Sequence, residues 1–166
     1  MIFTASPDGF SIPGYDQIFP CALGKNGLIK DKREGDNASP IGVWKIIRVL
    51  YRADKGSKPI CNFPIQEIQT DDGWCDSPEH HLYNQQVKLP FEASHEELFR
   101  KDNIYDIVVV LDHNLDPAVP YGGSAIFMHI ARDNYEGTAG CIALRRDHLE
   151  HILSIAQPGD AIEIKF

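Results

Sequence analysis

A chain of 166 residues is long enough for one domain with a sizeable core, and no apolar run approaches the roughly 20 residues of a membrane-spanning helix. Apolar residues make up 43% and charged residues 24%, ordinary values for a globular protein. The formal charge of -8 argues against nucleic acid or an anionic membrane surface as the main partner.

The first residues, Met1-Ile-Phe-Thr-Ala-Ser-Pro-Asp, carry neither a basic stretch nor an apolar one, so no signal peptide is read there. Strands are predicted over residues 2–5, 17–23 and 43–51 from short apolar runs bounded by Gly, Pro, Asn and Asp. Residues 53–90 are rich in turn formers and are expected to form a loop or flap beside a site. Ser94-His95-Glu96-Glu97 has the pattern of a capping box and predicts a short helix to about Lys101. Ile107-Val-Val-Val-Leu111 predicts a strand buried on both faces, within residues 107–112. A further strand is expected over residues 124–130. It would put Ala125, Phe127 and His129 on one face and Ile126 and Met128 on the other. From Arg146 to Ala156, Leu149, Ile152, Leu153 and Ala156 recur at helical spacing, and Pro158-Gly159 ends the helix. Alternating Ile162, Ile164 and Phe166 predict a last strand. The expected fold class is mostly β with short helices, a β-sandwich-like core in one domain over residues 1–166.

One region carries chemistry. The strand around His129 is followed, twelve residues on, by Cys141 in Thr138-Ala139-Gly140-Cys141-Ile142. Thiolate is the reactive form of cysteine, and a neighbouring histidine can generate it. Gly140 lacks a Cβ and lets a substrate carbonyl approach the backbone, so the N–H groups of Gly140 and Cys141 could form an oxyanion hole. Thr138 could bond the loop or the substrate. The other cysteines, Cys21, Cys61 and Cys75, form no CxxC pattern, and at most one disulfide among them is expected. Cys75, Asp76, Glu79, His80 and His81 are close in sequence but lack zinc-site spacing, so no metal is expected.

A strand ending in His, a variable loop and Ser/Thr-x-Gly-Cys resembles the signature of the L,D-transpeptidase catalytic domain, the YkuD-like family of bacterial cell-wall enzymes. Upstream, Ser39-Pro40-Ile41-Gly42-Val43-Trp44 is similar to that family's Thr-Pro-x-Gly-x-aromatic turn, and it follows the charged run Lys32-Arg33-Glu34-Gly35-Asp36. The resemblance implies a mixed β-rich fold and acyl transfer through a thioester. Cys141 would be the nucleophile and His129 the base, oriented by a backbone carbonyl, with no cofactor. It implies peptidoglycan stem peptides as partners, attacked at an L-centre, commonly meso-diaminopimelate. Water as acceptor would make the same site a cysteine peptidase or L,D-carboxypeptidase. The implied location is the periplasm or cell envelope, with the cytoplasm the alternative where no signal peptide is read.

The chain departs from the pattern at Ala139, where many members carry His, and at Ala143, where many carry Arg. Carboxylate recognition is therefore expected to fall to Arg132 first, then to Arg145 and Arg146. Tyr83-Asn84 and Trp74-Cys75-Asp76 are further candidates for lining the cleft.

Overall fold

Short strands dominate the computed structural model, which describes residues 1–166. The first half holds β1 (Ile2–Ser6), β2 (Gly9–Ser11), β3 (Ile18–Phe19), β4 (Cys21–Ala22), β5 (Leu28–Ile29), β6 (Ser39–Pro40) and β7 (Gly42–Tyr51). Next come β8 (Ile65–Glu67), β9 (Asp72–Cys75), β10 (Gln86–Lys88), β11 (His95–Glu97) and β12 (Ile107–Leu111). The chain closes with β13 (Phe127–Ile130), β14 (Ile142–Leu144), the helix α1 (Arg146–Ile155) and β15 (Ala161–Ile164).

Ten strands form one mixed sheet in the order β3-β2-β1-β15-β7-β12-β13-β14-β4, with β8 beside β7. The pairs β1/β15, β13/β14 and β7/β8 are parallel, and the other pairs are antiparallel. The strands at its two ends, β3 and β4, are separated in the chain only by Pro20. The sheet therefore rolls over until its ends meet. Proline has no N–H for a ladder, which is why the run expected as one strand over 17–23 is two strands in different parts of the sheet.

As its all-apolar run predicts, β12 is buried along its whole length. Ile107, Val109 and Leu111 enter the larger core with Phe3, Phe10 and Met128, while Val108 and Val110 enter a second core with Trp74, Phe127 and Cys141. Helix α1 forms where expected and lays Leu149, Ile152 and Leu153 against the larger core. Burying each such side chain contributes about 1.5–3 kcal/mol.

Two expectations are corrected. The Ser94 capping box opens no helix. Residues His95–Glu97 instead pair antiparallel with Cys75, Trp74 and Gly73 of β9. A cap stabilises a helix by only about 1 kcal/mol, less than the strand pairing and burial gained here. Residues 53–90 are likewise more than a loop. They contribute β8 to the large sheet, and β9 and β10 to a three-stranded sheet ordered β10-β9-β11.

Candidate active site

The strand expected from Ser124 begins only at Phe127, because Ala125 adopts a left-handed conformation with φ 53°. Beyond that turn the predicted alternation holds. Ile126 and Met128 enter the larger core, Ala125 and Phe127 face the second, and His129 lies on the Phe127 side of the strand. Parallel pairing of β13 with β14 sets Met128 beside Ile142 and His129 beside Ala143, so Cys141, two residues before Ala143, comes level with Phe127, on the side of the sheet that His129 shares.

Cys141 and His129 line one cavity of about 560 Å³, and each is only 7% exposed. The Cys141 thiol donates to the carbonyl of Ala125 at 3.1 Å. His129 Nδ1 lies 2.9 Å from the carbonyl of Ile130. A carbonyl only accepts, so Nδ1 carries the proton and Nε2 is left as the ring's acceptor. The Tyr105 ring meets the imidazole edge-on at 5.5 Å. Burial lowers the His129 pKa from 6.5 to about 4. Burial pushes the Cys141 thiol up to about 12, helped by the charge of Glu96 and opposed by a Phe127 backbone hydrogen bond and by Lys32. The resting pair is a neutral thiol and a neutral imidazole.

Hydroxyls from both sequence motifs hold the cysteine loop. Thr138 Oγ1 donates to the carbonyl of Cys141 at 2.7 Å and accepts the Gly140 N–H at 3.1 Å. Ser39 Oγ accepts the Gly24 N–H at 2.9 Å and donates to the carbonyl of Gly140 at 2.8 Å. Gly140 has φ +134°, and a Cβ there would stand 2.9 Å from the carbonyl oxygen of Ala38. Only glycine fits this turn without displacing backbone.

The other expected site residues divide. Arg132 reaches the cavity, half-exposed, with loose ion pairs to Asp102 at 3.5 Å and Glu136 at 3.6 Å. Arg145 and Arg146 do not line it. Arg145 pairs with Asp147 on the surface, and Arg146 ties the start of α1 to the buried Asp106. Tyr83 and Asn84 are buried supports outside this cavity. The Tyr83 hydroxyl donates to Glu34 and accepts the Gly123 N–H at 3.1 Å. Asn84 Oδ1 accepts from the Trp74 indole and the Ala125 N–H, while its Nδ2 donates to the carbonyls of His113 and Asn114.

Cavity residues that the sequence did not single out as site residues include Lys32, Glu96, Arg100 and Tyr105. Lys32 stands in the charged run before Ser39, and Glu96 lies inside the stretch with the capping-box pattern; Arg100 and Tyr105 carry no signal. All four cysteines are unpaired. Burial raises the pKa of Cys75, and that of Cys21 to about 11. His80 stacks on His81 and bonds Glu92, and no three His, Cys, Asp or Glu side chains are placed to hold a metal ion.

The chain is similar to several known proteins. An L,D-transpeptidase from Mycobacterium smegmatis aligns over 99% of this chain and 58% of its own, at 16% identity and a TM-score of 0.45. L,D-transpeptidase 1 from Mycobacterium tuberculosis gives 15% identity, 99% and 58% coverage and a TM-score of 0.45. L,D-transpeptidase 3 from Mycobacterium tuberculosis, solved with a faropenem-derived adduct, gives 13%, 99%, 60% and 0.47. The chain thus spans under two thirds of the length of these structures. No curated protein matches it. A sequence profile of the L,D-transpeptidase catalytic domain matches residues 13–164, nearly the whole chain. With that match, the chain belongs to the L,D-transpeptidase catalytic domain family.

Proposed function

We propose that the protein is a cysteine acyltransferase that cross-links peptidoglycan stem peptides in the cell envelope. One observation carries the reading: a thiol and an imidazole share a cavity, and a backbone carbonyl fixes the imidazole with Nε2 as its acceptor. Cys141 Sγ attacks the peptide carbonyl carbon while its proton passes to His129 Nε2. The carbonyl oxygen becomes an oxyanion, with the Cys141 N–H as donor, since the Gly140 N–H is engaged by Thr138. The C–N bond then breaks, and His129 returns the proton to the leaving amine. A thioester remains on Cys141. An acceptor amine attacks it and gives a proton to His129, the C–S bond breaks, and His129 passes that proton to the departing sulfur, which restores the thiol. Because both resting groups are neutral, His129 acts as general base during attack rather than holding a preformed ion pair. Arg132, on the cavity wall, is the proposed partner for a stem carboxylate.

The test is mass spectrometry of muropeptides incubated with the protein, with and without an amine acceptor. Cross-linked product and an acyl adduct on Cys141 are expected, both absent in Cys141→Ala. Product formed only by hydrolysis would make the protein a peptidase, and unchanged turnover by Cys141→Ala would remove Cys141 from the mechanism.

A further inference from the structure

The run Lys32-Arg33-Glu34-Gly35-Asp36 crosses between β5 and β6 and forms part of the cavity wall. Lysines usually extend into water. The Lys32 side chain is only 5% exposed. Its ammonium pairs with Asp36 and donates to the carbonyl of Arg33 at 3.2 Å. Asp36 also accepts the backbone N–H groups of Arg33 and Ala38, so the carboxylate that anchors the lysine is itself fixed. These bonds, with Lys32, hold its pKa below the usual carboxylate value despite desolvation.

The stem of Lys32 lies across Gly123. A Cβ on that glycine, whose φ is +95°, would stand 2.9 Å from the lysine Cγ and 3.2 Å from its Cε. The head group ends at the cysteine loop, with Nζ 3.4 Å from where a Cβ on Gly140 would lie. Two glycines thus leave room for a lysine that runs from the Asp36 anchor to the residue before Cys141.

From this packing we propose that Lys32 is the cation that stabilises negative charge developing at Cys141 during attack. The inference rests on Cys141 being the nucleophile. Lys32 forms no covalent bond and transfers no proton. It acts through space on a thiol that is largely buried, where a fixed charge counts for more than at the surface. The other charged or titratable groups lining the cavity are His129 from β13, His95, Glu96 and Glu97 from β11, Tyr105 before β12, Glu34 beside Lys32, and Arg100, Arg132 and Glu136 at the wall. His129 rests neutral, and Glu96 opposes thiolate formation. Among the causes that set the Cys141 pKa, Lys32 is the one side-chain charge that favours the thiolate.

The experiment is iodoacetamide alkylation of Cys141, followed peptide by peptide by mass spectrometry across pH 7–9, with Cys61 as internal control. It needs no peptide substrate, so it stands whether or not stem peptides are the donor. Lys32→Met should slow Cys141 alkylation about threefold to tenfold at fixed pH, since a rise of one unit in thiol pKa lowers the thiolate fraction tenfold. Lys32→Arg should stay near wild type, and Cys61 should be unaffected in both. A Cys141 rate in folded Lys32→Met equal to wild type would overturn the proposal. If Lys32→Met unfolds, seen as faster labelling of every cysteine, Asp36→Asn decides. Removing that counter-charge should speed Cys141 alkylation, and an unchanged or slower rate would overturn it.

Discussion

The side-chain oxygen of Asn84 accepts the N–H of Ala125 at 2.9 Å, and the carbonyl of Ala125 accepts the Cys141 thiol at 3.1 Å. A residue outside the cavity thereby fixes the left-handed turn that aims a carbonyl at the thiol. Asn84→Ala would strand the Trp74 indole, the Ala125 N–H and two carbonyls. Each buried unpaired group costs about 1–3 kcal/mol, so a loss of roughly 3 kcal/mol or more is expected in urea unfolding. Asn84→Asp keeps the oxygen that Trp74 and Ala125 need and should recover part of the loss. In any folded Asn84 variant, kcat should fall more than KM rises.

Acid should weaken the fold through His129. Its folded pKa of about 4 lies below the ordinary 6.5, so between those values the unfolded chain binds more protons. The contribution is complete above about pH 6.5, declines as pH falls and is gone below about pH 4. The gap corresponds to about 3 kcal/mol. His113, also lowered by burial, adds a slope of the same sign. The measurable quantity is therefore the difference between wild type and His129→Gln in unfolding free energy against pH. The variant should have a shallower slope over that window and should lose acyl transfer.

Arginines on and off the cavity should separate cleanly. Arg132→Ala should lower kcat/KM about 10- to 100-fold for donors bearing the contacted carboxylate, from the loss of a charged hydrogen bond of about 1.5–3 kcal/mol. Donors lacking that carboxylate should change less. Arg146→Ala should leave KM alone and lower stability by about 1–3 kcal/mol, because it leaves Asp106, 4% exposed, without its arginine. Steady-state kinetics and thermal unfolding on the two variants check both outcomes.

The elements read correctly from sequence are those whose pattern reflects a single dominant environment. Helix α1 repeats its apolar residues at helical spacing, and β12 is apolar throughout because both faces are buried. That His129 and Cys141 line one cavity was legible because the loop motif is local and glycine marks a backbone that only glycine can adopt. Failures arose where a distant partner decides. The helix signal at Ser94 lost to pairing with β9, and Asn84 looked like a cleft residue although four buried partners claim it. Lys32 and Arg100 reach the cavity only through tertiary packing, so no spacing in the chain could announce them.

Pro20, between the two ends of the rolled sheet, bears on how the molecule is assembled. β1 sits between β2, which follows it at once, and β15, which is the last strand. β4 waits for β14. Nearly the whole chain must be synthesised before either seam closes, and such high contact order makes for slow folding. Until then β1, β4 and β7 present open edges that invite pairing between molecules. A chain cut before Ala161 would leave β1 and β7 in that state permanently. Such a fragment should collect in aggregates rather than persist as a weakened enzyme.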